Sequence, residues 1–302
     1  MSDSRPGRNV PTSLTRRLST PTDPLAQWFQ ATFPGIFALA RADLANAPAV
    51  VRPSDRDFPH GLVGTAMVYR LFIALGGGPQ LTQHPTPAHR GAVLLARHTG
   101  NRSLFPFPWP QQGLTGWMAE ALEDTGDEHL ARVAYALALY EEPYKSRRAS
   151  PQSPLLRASG MESVLALAPA TVVKDIVSQM KLGEGAVETL RQMGPARFAV
   201  TPSGASTVGN AEADLLVGSC LVEVKSTQYP YREAEGAVRQ ALAYAFLDYA
   251  DEWGLVRIGI YLSRSGRLVL WDLPSLLSRL ADAQVSLPAL RASFQSVAML
   301  RV

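Results

Sequence analysis

The chain has 302 residues, 46% hydrophobic and 18% charged, which is enough for a large buried core and unlike a disordered polymer. Its formal net charge of +3 does not by itself nominate nucleic acid as a partner, and its single cysteine, Cys220, excludes an internal disulfide framework, a four-cysteine zinc site and a cysteine-ligated iron–sulfur cluster. No run approaches the roughly 18 consecutive apolar residues of a membrane span and no apolar secretory leader opens the chain, so a cytoplasmic location without a membrane partner is expected.

Residues 1–24 are polar and Pro/Ser-rich, carry Arg5, Arg8, Arg16 and Arg17, and read as a flexible basic tail. From residue 25 to 144 the apolar period is helical, predicting an all-helical N-terminal domain. Its helices are predicted over Ala26–Leu44, His60–Leu75, Pro87–His98, Gly113–Leu122 and Glu128–Tyr144, the second stopping at Gly76-Gly77-Gly78-Pro79. Leu104–Pro110, with three prolines, predicts a loop. Residues 145–160, opening with Lys145, Arg147 and Arg148, are the expected linker to a second domain over 161–302.

That second domain starts with short helices predicted over Met161–Leu167, Ala170–Leu182 and Gly185–Met193. After Gly194-Pro195 the period changes to that of strands. Strands are predicted at Arg197–Val200, Ala213–Val217 and Leu221–Ser226, the last two joined by the hairpin punctuation Gly218-Ser219. A helix over Arg232–Tyr249, strands at Leu255–Leu262 and Leu268–Leu273, and a helix from Pro274 complete the order. The fold class is therefore α/β, a mixed-sheet core of order α-β-β-β-α-β preceded by helices.

Chemistry concentrates in the hairpin. Asp214 opens one strand, while Glu223 and Lys225 lie two apart on the other and so emerge on one face, with Val222 and Val224 turned to the opposite side. Only four of the 29 basic residues are lysines, which makes one inside an apolar strand conspicuous. Charged groups on greasy strands are costly to bury unless paired or metal-bound. Asp214 and Glu223, with the Val224 backbone carbonyl as a third oxygen, are candidate ligands for Mg²⁺, for which Mn²⁺ could substitute. Such a metal would polarise a phosphodiester and acidify a bound water, with Lys225 orienting that water or stabilising charge at phosphorus. On the following helix Gln240 and Tyr244, four apart, share a side.

The ordered set Asp214, Glu223-Val-Lys225 and Gln240-Ala-Leu-Ala-Tyr244 resembles the PD-(D/E)xK nuclease superfamily, and within it the RecB-type and lambda-exonuclease-like branch. The resemblance covers roughly residues 195–275 and implies a restriction-endonuclease-like core, a metal-dependent deoxyribonuclease, DNA as partner, and a setting in DNA repair or defence against foreign DNA. Ala213 stands where the family pattern has proline. A further acid on an upstream helix is implied, and Glu184, Glu188, Glu141, Glu142 and Glu162 all qualify. The N-terminal helices would grip substrate or a protein partner. The alternative is a catalytically silent module used for nucleic-acid binding or assembly. Arg232 and Arg239 flank the motif helix, but no aromatic stacking platform beside basic residues is evident. The five histidines form no metal-spaced motif.

Overall fold

Alternating apolar residues in the C-terminal half build a five-stranded mixed sheet, and the computed structural model shows helices on both of its faces. It describes residues 13–44, 47–53, 57–83, 85–99 and 110–300. The predicted loop over Leu104–Pro110 falls almost entirely outside these residues, as do His84 and the first twelve positions of the expected tail.

The N-terminal region is helical: α1 (Leu14–Ser19), α2 (Pro24–Thr32), α3 (Ile36–Asp43), α4 (His60–Phe72), α5 (Gly78–Gln83), α6 (Pro87–Thr99), α7 (Pro110–Ala121), α8 (Asp127–Ser146) and α9 (Met161–Leu165). Two further helices, α10 (Ala170–Leu182) and α11 (Glu184–Gln192), lead into strands β1 (Ala196–Val200), β2 (Ala213–Val217) and β3 (Cys220–Lys225). Then come α12 (Pro230–Leu247), β4 (Arg257–Leu262), β5 (Arg267–Asp272), α13 (Leu273–Ala281) and α14 (Leu287–Ala298). The α/β class and the α-β-β-β-α-β order are as predicted. Spatial strand order follows sequence order, all neighbours being antiparallel except the parallel pair β3–β4, whose crossover is α12.

Several expectations need correction. The expected tail does not hold for residues 13–24: Leu14 and Leu18 are buried, and the guanidinium of Arg17 pairs with Asp23 and donates to the carbonyl of Ala298. These tertiary bonds order a segment whose composition reads as solvated. The helix predicted over Ala26–Leu44 is two helices, broken at Phe33-Pro34-Gly35. Gly76, at φ +83°, breaks the helical run, but a π-type turn over Ile73–Gly77 carries the chain on into α5 rather than ending it. By length and composition His60–Gln83 could cross a bilayer; in the fold Val63, Met67, Leu71 and Phe72 from it are packed into the core. The expected linker starts inside α8, and Leu155 within it is buried.

The division between a helical domain and a nuclease-like domain does not match the packing either. One core joins α4, α6, α7, α8 and α10 to Leu215, Val217, Val222 and Val224 on one sheet face. The other joins α1–α3, α12, α13 and α14 to Leu216, Leu221, Ile258 and Ile260 on the opposite face. The helices that come first in sequence thus cover both sides of the sheet that comes last. Leu221 belongs to the second face, so by strand alternation Glu223 and Lys225 do too.

Candidate active site

Antiparallel pairing of β2 with β3 runs from Val217↔Cys220 to Leu215↔Val222 and stops there. The turn that sets this register needs glycine, since Gly218 has φ +55° and a Cβ on it would lie 2.3 Å from the carbonyl of Met193. Beyond Leu215 the strands part. The N–H of Val224 donates to Oδ2 of Asp214 at 2.9 Å, so a carboxylate takes a backbone donor that the ladder leaves unused. In an extended strand the carbonyl of Val224 points to the same edge as its N–H.

Glu223 is 2% exposed, and its Oε1 accepts from Lys225 Nζ at 2.7 Å. Burial and the adjacent Asp214 raise its carboxyl pKa to about 7 despite Lys225. Burial works against the Lys225 ammonium, but Glu223 and Asp214 outweigh it and hold the lysine charged above its ordinary range. Lys225 also donates to Oε1 of Gln240 at 3.0 Å, and Nε2 of Gln240 donates to the Tyr244 hydroxyl at 2.9 Å. The Tyr244 phenol, buried and facing acids, stays neutral well above its usual range. All five predicted side chains, Asp214, Glu223, Lys225, Gln240 and Tyr244, are therefore brought together, with the Val224 backbone between the two acids.

A buried strut holds the far end of β3. Arg264 makes a two-pronged ion pair with Asp175 on α10 at 2.8 and 3.2 Å, and its Nε donates to the carbonyl of Ser226. Gln179, fully buried one turn later, accepts from the hydroxyls of Ser226 and Ser263. These bonds fix the chain directly after Lys225.

Of the upstream acids, only Glu141 on α8 reaches this neighbourhood. It is buried, its Oε1 pairs with Lys145 at 2.7 Å, and Lys145 in turn feels the charges of Asp214 and Glu223. Glu142, Glu162, Glu184 and Glu188 are exposed. Lys145, assigned to a linker by sequence, thus bonds Glu141 directly and lies within electrostatic reach of Asp214 and Glu223. Arg147 instead donates to the carbonyl of Gly209. His89 is buried between the hydroxyls of Thr86 and Thr115.

Among the described residues no three His, Cys, Asp or Glu side chains converge on a metal position. The donor set is smaller and still fits a hard cation. Oδ1 of Asp214 and Oε2 of Glu223 make no hydrogen bond among the described residues, and burial together with the neighbouring Asp214 works against a second negative charge on Glu223. Mg²⁺ commonly takes one or two carboxylates and fills the remaining positions with water and phosphate oxygens.

Sequence reasoning missed an aromatic cluster at the start of α12. The rings of Tyr229 and Tyr231 lie 6.2 Å apart, 50% and 58% exposed, with the guanidinium of Arg232 over both at 5.0 and 5.5 Å. The signal was available in Tyr229-Pro-Tyr-Arg232, two exposed aromatics and a cation just after the motif strand. Comparison of the chain with protein-family models, with curated proteins and with solved structures found no match.

Proposed function

We propose that this protein is a metal-dependent deoxyribonuclease that hydrolyses phosphodiester bonds with Mg²⁺, or Mn²⁺ in its place. One observation carries the reading: Asp214, held to β3 by the Val224 N–H, and Glu223 on β3 each keep an oxygen without a hydrogen bond among the described residues, beside a lysine that Gln240 holds in position. The resemblance of Asp214, Glu223-Val-Lys225 and Gln240–Tyr244 to the PD-(D/E)xK pattern supports it, as does the α-β-β-β-α-β order.

Asp214 Oδ1, Glu223 Oε2 and the Val224 carbonyl would hold the cation. Bound there, it would supply Lewis-acid polarisation of the phosphate and a lowered pKa for attacking water. Lys225, kept protonated by its acidic neighbours, binds a phosphate oxygen and stabilises negative charge as it develops, which requires an ammonium and not a free amine. Gln240 fixes where that ammonium sits, and Tyr244 fixes Gln240. Glu141 and Lys145 tune the charge balance from α8.

The test is cleavage of linear and circular DNA, single- and double-stranded, with Mg²⁺, Mn²⁺ or EDTA, alongside Lys225→Ala. Metal-dependent cutting by the wild type that Lys225→Ala lacks is the expected result. Cutting that survives EDTA or the substitution overturns the assignment.

A further inference from the structure

Lys225 and Gln240 open into a cleft of about 760 Å³ that lies between α1–α3 on one side and α12 on the other. Phe37, 60% exposed, is on the first wall; Arg232, Gly236 and Arg239 are on the second. We propose that this cleft takes single-stranded DNA and that Tyr229 and Tyr231, which lie outside its lining but under the guanidinium of Arg232 on its wall, form with that arginine the platform on which unpaired bases stack. The inference rests on the nuclease reading only for where the strand leads, to Lys225, and not for its binding.

Four observations carry it. Two tyrosines side by side in water lack the burial that ordinarily stabilises aromatic rings, and their exposed faces suit the π-faces of bases. Bases inside a duplex have those faces covered by their neighbours, so only unpaired bases can use the platform. Arg232 makes no ion pair among the described residues, its guanidinium lying only over rings, which leaves its N–H groups for phosphate. The acids on the same wall are already engaged: Glu233 accepts from the Thr227 hydroxyl and Glu235 pairs with Arg239.

Gly236 is the fourth. It sits in the interior of α12, where glycine costs roughly 1 kcal/mol relative to alanine, and a Cβ placed on it would meet, among the described residues, nothing within 4 Å beyond its own helix backbone. Among the described residues no packing requires a glycine there. A glycine facing open cleft permits close approach of a ligand to the helix backbone.

Binding is measured without turnover. Fluorescence anisotropy of a labelled oligothymidylate, a duplex of equal length and an oligouridylate is titrated with the full-length protein in EDTA. The wild type should prefer oligothymidylate over both. Tyr229→Ala and Tyr231→Ala should each weaken that binding about fivefold or more, while Tyr→Phe at either position, which keeps the ring, should retain it. Arg232→Gln should also weaken binding and reduce the slope of log affinity against log salt by about 0.7. Gly236→Phe should obstruct the cleft while leaving the melting temperature near wild type. No binding of oligothymidylate, a preference for the duplex or for oligouridylate, or tyrosine variants that bind as the wild type does would each overturn the proposal. If DNA is cut but these variants bind normally, the platform falls and the nuclease stands. If the platform behaves as described and nothing is cut, the reverse holds.

Discussion

The carboxylate of Asp214, one residue beyond the last β2–β3 pair, accepts at 2.9 Å the backbone N–H of Val224, two residues beyond it on β3. This bond does two things. It satisfies a buried donor where the strands part, and it holds one acid against the strand that carries the other acid and the lysine.

Removing any of the three charged groups should abolish activity without unfolding the chain. Asp214→Asn, Glu223→Gln and Lys225→Ala are each expected to lower the DNA cleavage rate at least about a hundredfold, the scale seen when one transition-state donor is lost. Gln240→Ala, which frees the ammonium but keeps its charge, should cost less. Single-turnover cleavage kinetics, with circular dichroism to monitor the fold, checks the ranking.

A cation that binds the folded protein stabilises it by mass action. With Mg²⁺ at a hundred times its dissociation constant the gain is about 2.7 kcal/mol. Melting curves with and without Mg²⁺ should therefore separate for the wild type, return on adding EDTA, and coincide for Asp214→Asn. An equal shift in that variant would place the cation elsewhere.

The Arg264–Asp175 pair is buried, at 1% and 5% side-chain exposure. Asp175→Ala leaves a buried guanidinium without its counter-charge, and a loss of about 3–5 kcal/mol in urea unfolding is expected. Arg264 also bonds the Ser226 carbonyl, so under conditions where the variant remains folded, cleavage should fall because Lys225 loses its anchor.

Stability should also fall in acid through His89. The Thr86 N–H donates to its Nδ1, so the ring is the neutral tautomer with hydrogen on Nε2, and burial lowers its pKa from 6.5 to about 4. The unfolded chain thus binds more protons than the folded one across that window, and stability rises with pH there. His89's contribution is complete above pH 6.5 and lost as pH falls through about 4. His89→Asn, which keeps an acceptor for the Thr86 N–H, should flatten the melting temperature of the protein between these limits relative to wild type. An unchanged profile would contradict the assignment.

The hairpin and α12 were legible because their signals are local. Alternation puts Glu223 and Lys225 on one face, Gly218-Ser219 sets the turn, and four-residue spacing pairs Gln240 with Tyr244. What failed depends on distant contacts. Composition reads Arg17 as solvated because nothing nearby in sequence reveals its bond to Ala298, 281 positions away. Likewise Glu141 could not be chosen among five acids until α8 was packed beside the sheet. The break at Phe33-Pro34-Gly35 was written in the sequence, but the three- and four-residue apolar spacing running across it masked the signal. Gly35 lets the chain pass close to α13 there: a Cβ on it would lie 3.1 Å from the carbonyl of Leu280, which would have to give slightly.

The most direct test of the central claim compares Mg²⁺-dependent DNA cleavage by the wild type with that by Asp214→Asn and Lys225→Ala, at equal folded concentrations. The site described here predicts cutting by the wild type that is abolished by EDTA and lost in both variants. Variants that cut as fast as the wild type would contradict it.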